Sequence, residues 1–393
     1  MALCRAQRVR QFSTGRAKVY GWGSGQVLAP MVRDTPSAIA SPVRLDIAGV
    51  PYAIASGWGH SLVAVQEQER THRILSFGLN RSGQLGFSMD EVDSAKGFVK
   101  GIPQESRIIS MACGREHSMV IAQDESGHHE LYAFGNNMYG QLGLGESRHN
   151  QTRQGTFVIR DSASKVTGYE GSPVQLTCGL DHTVFVTDAQ KVYAMGWGAD
   201  GQLGVGPHST SDKDTPTRLA RFDNKSILKL ASSTDYTFAL LEDRTLWVWG
   251  NSEYGQAMQG RKIDRILEPM QVPIKHDIKD IACGGPFSLV LTTEGSVLSC
   301  GYGVLGQGEQ PVETLEPLRI RFPWPITQIF ATTDYAACID DAGQLYTFGL
   351  NGPHARLGLG DTAHAFEPRK VLFEDSTAVR NVALGMHHAL VLS

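Results

Sequence analysis

The histidines are the side chains best suited to acid–base catalysis or metal binding, and four of them share one position of a repeated motif. These four are His60, His117, His182 and His388. Tyr236, Phe287 and Tyr335 stand at the same position in other copies. Phenyl and phenol rings cannot replace an imidazole as a general base or metal ligand near neutral pH. The pattern therefore favours packing and a turn hydrogen bond as the shared role.

Three cysteines also share a position of this motif, namely Cys113, Cys178 and Cys283. Ser56 and Ser232 replace them in other copies. The sequence contains no CxxC pair, and equivalent residues of successive repeats point around a ring and not toward one ion. We expect small buried side chains here, with no metal site and no disulfide.

Motifs for phosphate binding and covalent catalysis are absent. The sequence has no GxxxxGK[ST] loop, no GxSxG elbow and no HExxH helix. We therefore expect a binding module that is not an enzyme, uses no cofactor and binds no nucleotide of its own.

A glycine-rich stretch organises the chain, and its fullest copy is VYAMGWGADGQLGVG at 192–206. Versions of it return seven times, at spacings of 48 to 61 residues between the anchoring glycines. Those glycines are Gly23, Gly78, Gly135, Gly196, Gly250, Gly301 and Gly349. Such spacings indicate a stacked or radial array. Each copy begins as a short buried strand and then turns at GQLG, where glycines supply positive φ angles.

Three further strands accompany each glycine-rich strand. One leads into the ACGxxH motif, one follows its histidine position, and one begins with proline, as at Pro216 and Pro317. Four strands make one propeller blade. The pattern predicts an all-β protein, a seven-bladed β-propeller with four-stranded blades.

The two ends of the chain are complementary halves of a blade. The chain opens with a glycine-rich strand and a proline-led strand, and it closes with the strands 379–382 and 389–392. We expect the N-terminal strands to complete the C-terminal blade, which would remove exposed sheet edges. Residues 18–393 would then form one propeller domain, and we expect a monomer.

Residues 1–17 differ from the rest of the chain. They carry Arg5, Arg8, Arg10 and Arg16, and no acidic residue precedes Asp34. This composition is typical of a mitochondrial presequence, although a disordered basic tail is an alternative. The complete chain has a formal net charge of −4. It contains no apolar run approaching the roughly 18 residues of a membrane helix, so we expect no spanning segment.

The repeated pattern resembles the regulator of chromosome condensation repeat proteins, whose blades read ACGxxHSLxL followed by GxVYxWGxNxxGQLGxG. GWGADGQ at 196–202, WGNSEYGQ at 249–256 and GYGVLGQG at 301–308 look like the mitochondrial branch, described as guanine-nucleotide-exchange-factor-like. The resemblance implies nucleotide exchange on a dynamin-like GTPase of inner-membrane fusion. It also implies assembly of the large mitochondrial ribosomal subunit through its RNA. Peripheral association with the inner membrane is left open.

For an exchange factor, acidic and polar loop residues could attract the basic elements that cradle phosphate in a GTPase. Loops that depart from the repeat are where a propeller carries its function. The candidate partner-binding residues are Asp200, Asn251, Glu253, Tyr254, Asn137, Tyr139, Asp235 and Asp334.

For a ribosome-assembly factor, a basic surface for RNA or for its modifying enzymes is required. The insertion 146–172 provides candidates in Arg148, Arg153, Arg160 and Lys165. Arg218, Arg221, Lys225 and Lys229 form a second basic stretch. The acidic net charge argues against this function, and a non-catalytic scaffold is a third alternative.

Overall fold

A computed structural model describes residues 17–88, 94–147, 158–207, 210–375 and 377–393. These residues form seven antiparallel sheets of four strands, each one blade of a propeller. Two short helical segments, α1 (Gly25–Leu28) and a 3-10 turn (Ala220–Phe222), lie between strands. Within the described part of the chain, no helix is long and apolar enough to cross a membrane. The predicted seven-bladed architecture is confirmed.

The strands are numbered in chain order. Blade 1 contains β3 (Val50–Ser56), β4 (His60–Gln68), β5 (Thr71–Leu79) and β6 (Ser94–Phe98). Blade 2 contains β7 (Arg107–Cys113), β8 (His117–Gln123), β9 (His129–Asn136) and β10 (Ile159–Lys165). Blade 3 contains β11 (Pro173–Cys178), β12 (His182–Thr187), β13 (Val192–Gly196) and β14 (Lys213–Arg218). Blade 4 contains β15 (Ile227–Ser233), β16 (Tyr236–Leu241), β17 (Leu246–Ser252) and β18 (Ile263–Gln271). Blade 5 contains β19 (Ile278–Cys283), β20 (Phe287–Thr292), β21 (Val297–Tyr302) and β22 (Glu313–Ile320). Blade 6 contains β23 (Ile326–Thr332), β24 (Tyr335–Asp340), β25 (Leu345–Gly349) and β26 (Ala365–Lys370). Blade 7 contains β27 (Asn381–Leu384), β28 (His388–Leu392), β1 (Val19–Ser24) and β2 (Ala38–Leu45).

Blade 7 joins the two ends of the chain, as the sequence predicts. Its strand order is β2-β1-β28-β27, and Tyr20 of β1 lies opposite Val391 of β28. The Lys18 ammonium group pairs with Asp375 at 2.5 Å, and the Ser393 amide donates to the Lys18 carbonyl. The ring is therefore closed by backbone pairing between strands about 370 residues apart in the chain.

A glycine at or near the end of the third strand of each blade is required by a close approach of the backbone. Gly196 has φ +107°, and a Cβ atom there would lie 2.3 Å from the Asp181 carbonyl oxygen. That carbonyl accepts a hydrogen bond from the Trp197 amide at 2.8 Å. The third strand is thereby fixed against the turn between the first two strands of its own blade.

The repeated histidines form hydrogen bonds across the borders between blades. Each ring Nε2 lies within hydrogen-bond distance of a hydroxyl at the start of strand 2 in the next blade. The pairs are His60 with Ser118 at 2.9 Å, His117 with Thr183 at 3.2 Å, His182 with Thr237 at 3.2 Å and His388 with Ser61 at 2.6 Å. Tyr236 and Tyr335 also reach the next blade, where their hydroxyls donate to the Phe287 and Gly385 carbonyls. The expected packing role is confirmed, but the hydrogen bond joins blades and does not close a turn.

A glycine beside each of these histidines lets neighbouring blades come together. At Gly114, a Cβ atom would lie 2.1 Å from the His117 ring and 2.6 Å from the Gly179 carbonyl oxygen of the next blade. Blade 4 has Ser233 at this position, and its ring is Tyr236 in place of histidine. Glycine is thus needed where the histidine ring folds back over the turn.

The propeller has two different faces because every blade repeats the same antiparallel path. The loop face carries the turns between strands 1 and 2 and the glycine-rich loops between strands 3 and 4. The hairpin face carries the hairpins between strands 2 and 3 and the connections between blades.

The four buried histidines predict a loss of stability in mild acid. Burial lowers the pKa of His60, His117, His182 and His388 to about 3. A group whose pKa is lowered on folding stabilises the fold above its unfolded pKa and loses that contribution as the pH falls. At about pH 5.5, each histidine should lower the free energy of unfolding by about 1 kcal/mol relative to its value at neutral pH. Urea unfolding measured across this range should show a falling midpoint.

His182→Gln provides the matched test, because glutamine keeps an amide near Thr237 but does not titrate. This variant should show a shallower decrease of the midpoint between pH 7.5 and 5.5 than the parent. An unchanged slope would mean that His182 is not held neutral by burial.

Deletion of 386–393 should open the ring. It removes Leu390, Val391 and Leu392, which are buried against β1 and β27. Loss of three such side chains costs about 5–9 kcal/mol, compared with about 5–15 kcal/mol for a typical whole domain. The truncated protein should aggregate or melt far below the parent in a thermal scan.

A cysteine pair should have the opposite effect. Tyr20→Cys with Val391→Cys places two thiols on directly opposed positions of β1 and β28. Under oxidising conditions the pair should raise resistance to denaturant. Free thiols persisting in a folded, oxidised sample would contradict the closure.

Candidate functional site

The eight predicted partner-binding residues all belong to the loop face. In blade 4, the Asp235 carbonyl accepts a hydrogen bond from the Asn251 amide at 2.9 Å. In blade 6, the Asp334 carbonyl accepts from the Leu350 amide at 2.8 Å. The acids before strand 2 and the polar residues after strand 3 therefore lie beside each other at the same end of each blade.

Carboxylates occupy four of the seven equivalent positions before strand 2, at Glu116, Asp181, Asp235 and Asp334. Two of them are paired with arginines that the sequence analysis did not select. The Arg115 Nε donates to Asp181 at 3.3 Å across the border between blades 2 and 3. The Arg356 guanidinium lies 3.5 Å from Asp334. Four carboxylates and two arginines thus lie on this face, in the turns and loops beside strand 2.

Asp235 is the most perturbed carboxyl group of the site. Burial raises its pKa to about 6, with a smaller contribution from the nearby Asp200 carboxylate. Arg115 and Gln202 oppose the shift, and the Gln202 amide donates to Asp235 at 3.4 Å. At neutral pH the carboxylate is ionised in a poorly solvated position, where a cation from a partner would be attracted strongly.

Aromatic side chains flank these acids. Tyr139 of blade 2 contacts Trp197 of blade 3 edge to face, with ring centroids 4.7 Å apart. The Trp197 indole N–H donates to Asp200 at 3.3 Å. Farther around the ring, Tyr254 and Tyr302 lie 5.7 Å apart and both are exposed. Rigid aromatic rings beside charged groups are typical anchors of protein interfaces.

Two predicted residues shape the loops from within. Asn137 is completely buried, and its amide donates to the Glu146 carbonyl at 2.7 Å while its oxygen accepts from the Leu142 amide. The Asn251 oxygen accepts from the Glu253 amide at 3.2 Å. Asn137 cannot contact a partner directly, because its side chain is buried and forms hydrogen bonds within its own loop.

The basic residues of the insertion do not form a patch within the described residues. Arg160 lies near the loop face and pairs with Glu146, whereas Lys165 lies at the opposite end of β10 and pairs with Glu130 at 2.5 Å. Arg148 and Arg153 lie outside the described residues.

The second basic stretch is partly neutralised as well. Arg218 pairs with Asp223 at 2.8 Å and Lys229 pairs with Asp280. Arg221 and Lys225 instead lie 5.4 and 5.2 Å from the ring centroid of Trp247, on the hairpin face.

Several residues of the site were missed from the sequence. Arg356 stands where other repeats have the glutamine of GQLG, so departure from the repeat was the available signal. Tyr302 is the last residue of the third strand of blade 5, at the position of Asn251 in blade 4, and could have been found by the same alignment. The pairing of Arg115 with Asp181 had no signal, because the two residues belong to different repeats.

Metal binding finds no support in this part of the molecule. Among the described residues, no group of three or more histidine, cysteine, aspartate or glutamate side chains is arranged to hold an ion. Burial raises the pKa of Cys113 and Cys283 to about 12, so these thiols stay protonated.

Fold and site together define a seven-bladed β-propeller that gathers carboxylates and aromatic rings on one face. The model of the regulator of chromosome condensation (RCC1) repeat matches residues 71–121, 128–186, 191–240, 244–291 and 342–392. A second RCC1 repeat model matches 174–202, 227–256 and 278–307. The chain belongs to the RCC1 repeat family.

Two relatives are similar to this chain over most of both sequences. The RCC1-like G exchanging factor-like protein of Mus musculus is 29% identical over 376 residues, which cover 90% of this chain and 78% of the relative. The Homo sapiens protein of the same name is 28% identical, over 96% and 86% of the two chains.

Two solved structures have the same fold as this chain. The crystal structure of human WBSCR16 has a TM-score of 0.84 at 26% identity and covers 96% of this chain and 98% of its own. Prp20p of Saccharomyces cerevisiae, studied for its binding to Gsp1p and histones, has a TM-score of 0.79 at 21% identity, over 97% of this chain and 92% of its own. The likeness to Prp20p supports the fold alone.

Proposed function

We propose that this protein is a guanine nucleotide exchange factor that binds a GTPase through its loop face. The observation that carries the proposal is the similarity, over most of both chains, to proteins named RCC1-like G exchanging factor-like protein. The neighbouring carboxylates Asp235 and Asp200 and the exposed pair Tyr254 and Tyr302 are consistent with it, because they suit a partner with basic elements around its nucleotide.

Exchange of this kind requires no covalent step. A protein that binds the nucleotide-free GTPase more tightly than the GDP-bound form shifts the equilibrium toward GDP release. Carboxylates such as Asp200 and Glu253 would compete with the bound phosphates for the GTPase's basic groups. The six cross-blade hydrogen bonds of the histidines and tyrosines hold these loops in place, so the face is preorganised before the partner arrives.

The substrate we propose is a dynamin-like GTPase of mitochondrial inner-membrane fusion, following the resemblance of the glycine-rich copies to the mitochondrial branch. Assembly of the large mitochondrial ribosomal subunit is the alternative. The pairing of Arg160 with Glu146 and of Lys165 with Glu130 weakens the alternative, since these groups are already neutralised.

The exchange activity can be tested with the GTPase loaded with a fluorescent GDP analogue. The purified protein should bind and hydrolyse no nucleotide itself, yet accelerate release from the GTPase. The variant Asp200→Asn, Glu253→Gln, Tyr254→Ala should lower the release rate about tenfold, as expected for loss of interface anchors.

A matched variant on the hairpin face serves as the control. Asp341→Asn, Glu294→Gln and Met270→Ala remove the same kinds of exposed side chain from the opposite side of the ring. This control should release GDP as the parent does. Equal rates for both variants would exclude the loop face, and ribosomal RNA recovered in place of a GTPase would favour the alternative.

Location is the second part of the proposal, and it rests on the basic, acid-free residues 1–17. Deletion of this segment should leave a folded protein in the cytosol, because a presequence is read before folding and is not needed for it. Fluorescence microscopy and fractionation would measure the outcome. Continued import of the shortened protein would contradict the presequence.

A further inference from the structure

The fourth strand of each blade is its outer strand and has one edge that pairs with no other strand. In blade 3, the Leu219 amide directly after β14 donates to the Val192 carbonyl of β13 at 2.8 Å. Antiparallel pairing alternates along a strand, so Thr217 also faces β13, while Pro216 and Arg218 turn their backbone groups outward. Outward backbone groups are the places where a further strand can pair.

Proline occupies one outward position in five of the seven outer strands. These prolines are Pro42, Pro216, Pro269, Pro317 and Pro368, in blades 7, 3, 4, 5 and 6. Proline has no N–H group, so it cannot donate a hydrogen bond to an added strand. These five edges are therefore blocked at this position.

Blade 2 has Ala163 at the equivalent position of β10, but its N–H is already used. The Val166 amide donates to the Leu131 carbonyl of β9, and Ala163 stands three residues before Val166, as Pro216 stands before Leu219. The Ala163 amide donates to the Lys100 carbonyl at 2.8 Å. The connection that follows β6 thus covers the outward N–H of blade 2.

Blade 1 has Lys96 at the equivalent position of β6, and its outward N–H is available. The Val99 amide donates to the Ile74 carbonyl of β5 at 3.0 Å, so Lys96 and Phe98 turn their backbone groups outward. No hydrogen bond of these outward groups is found among the described residues. Blade 1 therefore presents a donor where other outer strands have a proline or a bond already formed.

The side chains at this edge are basic. Lys96 and Lys100 are both exposed, and neither forms an ion pair within the part of the chain that the structure describes. The Arg73 guanidinium lies 3.5 Å from the centroid of the Phe98 ring, and Glu67 partly balances its charge at 3.5 Å. Pairing of two copies of β6 around Lys96 would bring like charges together, which is unfavourable. An acidic strand would instead be attracted.

We propose that β6 accepts an extended, acidic segment of a partner protein as a fifth strand of blade 1. An acidic side chain of that segment lies beside Lys96. In strand addition, backbone hydrogen bonds provide affinity and side-chain contacts provide specificity. A lysine suits such an edge, because its charge repels identical strands while its N–H stays free to pair.

The segment that pairs is short, because β6 has only five residues. The edge lies on the outer rim of the ring, away from the loops that carry the proposed GTPase site. A partner can therefore occupy it without covering the loop face. Either proposal can fail while the other holds.

The test uses the isotope-labelled full chain and two blocked seven-residue peptides of alternating threonine and valine, one with a central glutamate and one with a central lysine. The glutamate peptide should shift the amide signals of Lys96 and Phe98 and slow their hydrogen exchange. A dissociation constant of about 1 mM is expected for a few exposed backbone hydrogen bonds. The lysine peptide should bind at least roughly threefold more weakly.

Lys96→Pro separates pairing from folding, because five blades already contain proline at this position. The variant should melt as the parent does and bind the glutamate peptide at least roughly tenfold more weakly, measured at the Phe98 amide. Lys96→Gln keeps the N–H but removes the charge, so it should bind the two peptides equally. Pro216→Lys is the reciprocal variant and should add a second peptide site on blade 3.

Three results would overturn the proposal. They are no shift of the β6 amides at about 10 mM peptide, which is tenfold above the expected dissociation constant, equal binding by the parent and Lys96→Pro, or shifts confined to other strands. Dimerisation of the peptide-free chain that Lys96→Pro abolishes in sedimentation would assign the edge to a second copy of the chain instead.

Discussion

The hydrogen bond from one blade's histidine to the next blade's hydroxyl is the constraint on which the rest of the ring depends. A single four-stranded blade cannot bury both of its faces, so its stability comes from its neighbours. His117 reaches Thr183, and the Thr183 hydroxyl in turn donates to the Gln141 carbonyl of the preceding blade at 2.9 Å. The contact therefore ties the start of strand 2 in one blade to the glycine-rich loop of the blade before it.

Burial makes these contacts specific as well as stabilising. The histidine rings are inaccessible to solvent and their pKa is lowered by burial, so they remain neutral at physiological pH. A polar group without a partner in this position would be destabilising. Blades that replace the histidine keep a partner where they can, as Tyr236 and Tyr335 do through their hydroxyls.

The same constraint separates the two faces of the molecule. On the loop face, short turns are pinned to the next blade, and this holds Asp181 and Asp235 at defined positions around the opening. On the hairpin face, the connections are anchored by inward aromatic residues such as Phe322 and Phe373, which leaves their neighbours exposed. One face thus carries carboxylates beside aromatic rings, whereas the other carries protruding apolar side chains.

The sequence by itself determined what repeats within a blade. The seven glycine-rich copies predicted the number of blades, the complementary ends predicted the pairing of β1 with β28, and the GQLG pattern predicted its turn glycines. The turn glycines are a local feature, and the number of blades and the pairing of the two ends follow from the number and order of the repeats. A repetitive sequence is therefore enough to predict them. The side-chain contacts between neighbouring blades join residues of different repeats, so only the folded ring determines which residues meet. Arg115 and Asp181, Tyr254 and Tyr302, and the cross-blade histidine contacts could not be read from spacing. Likewise, Asn137 is buried because its side chain bonds the backbone of its own loop. Arg160 and Lys165 lie at opposite ends of β10 because the pairing of that strand with β9 places them there.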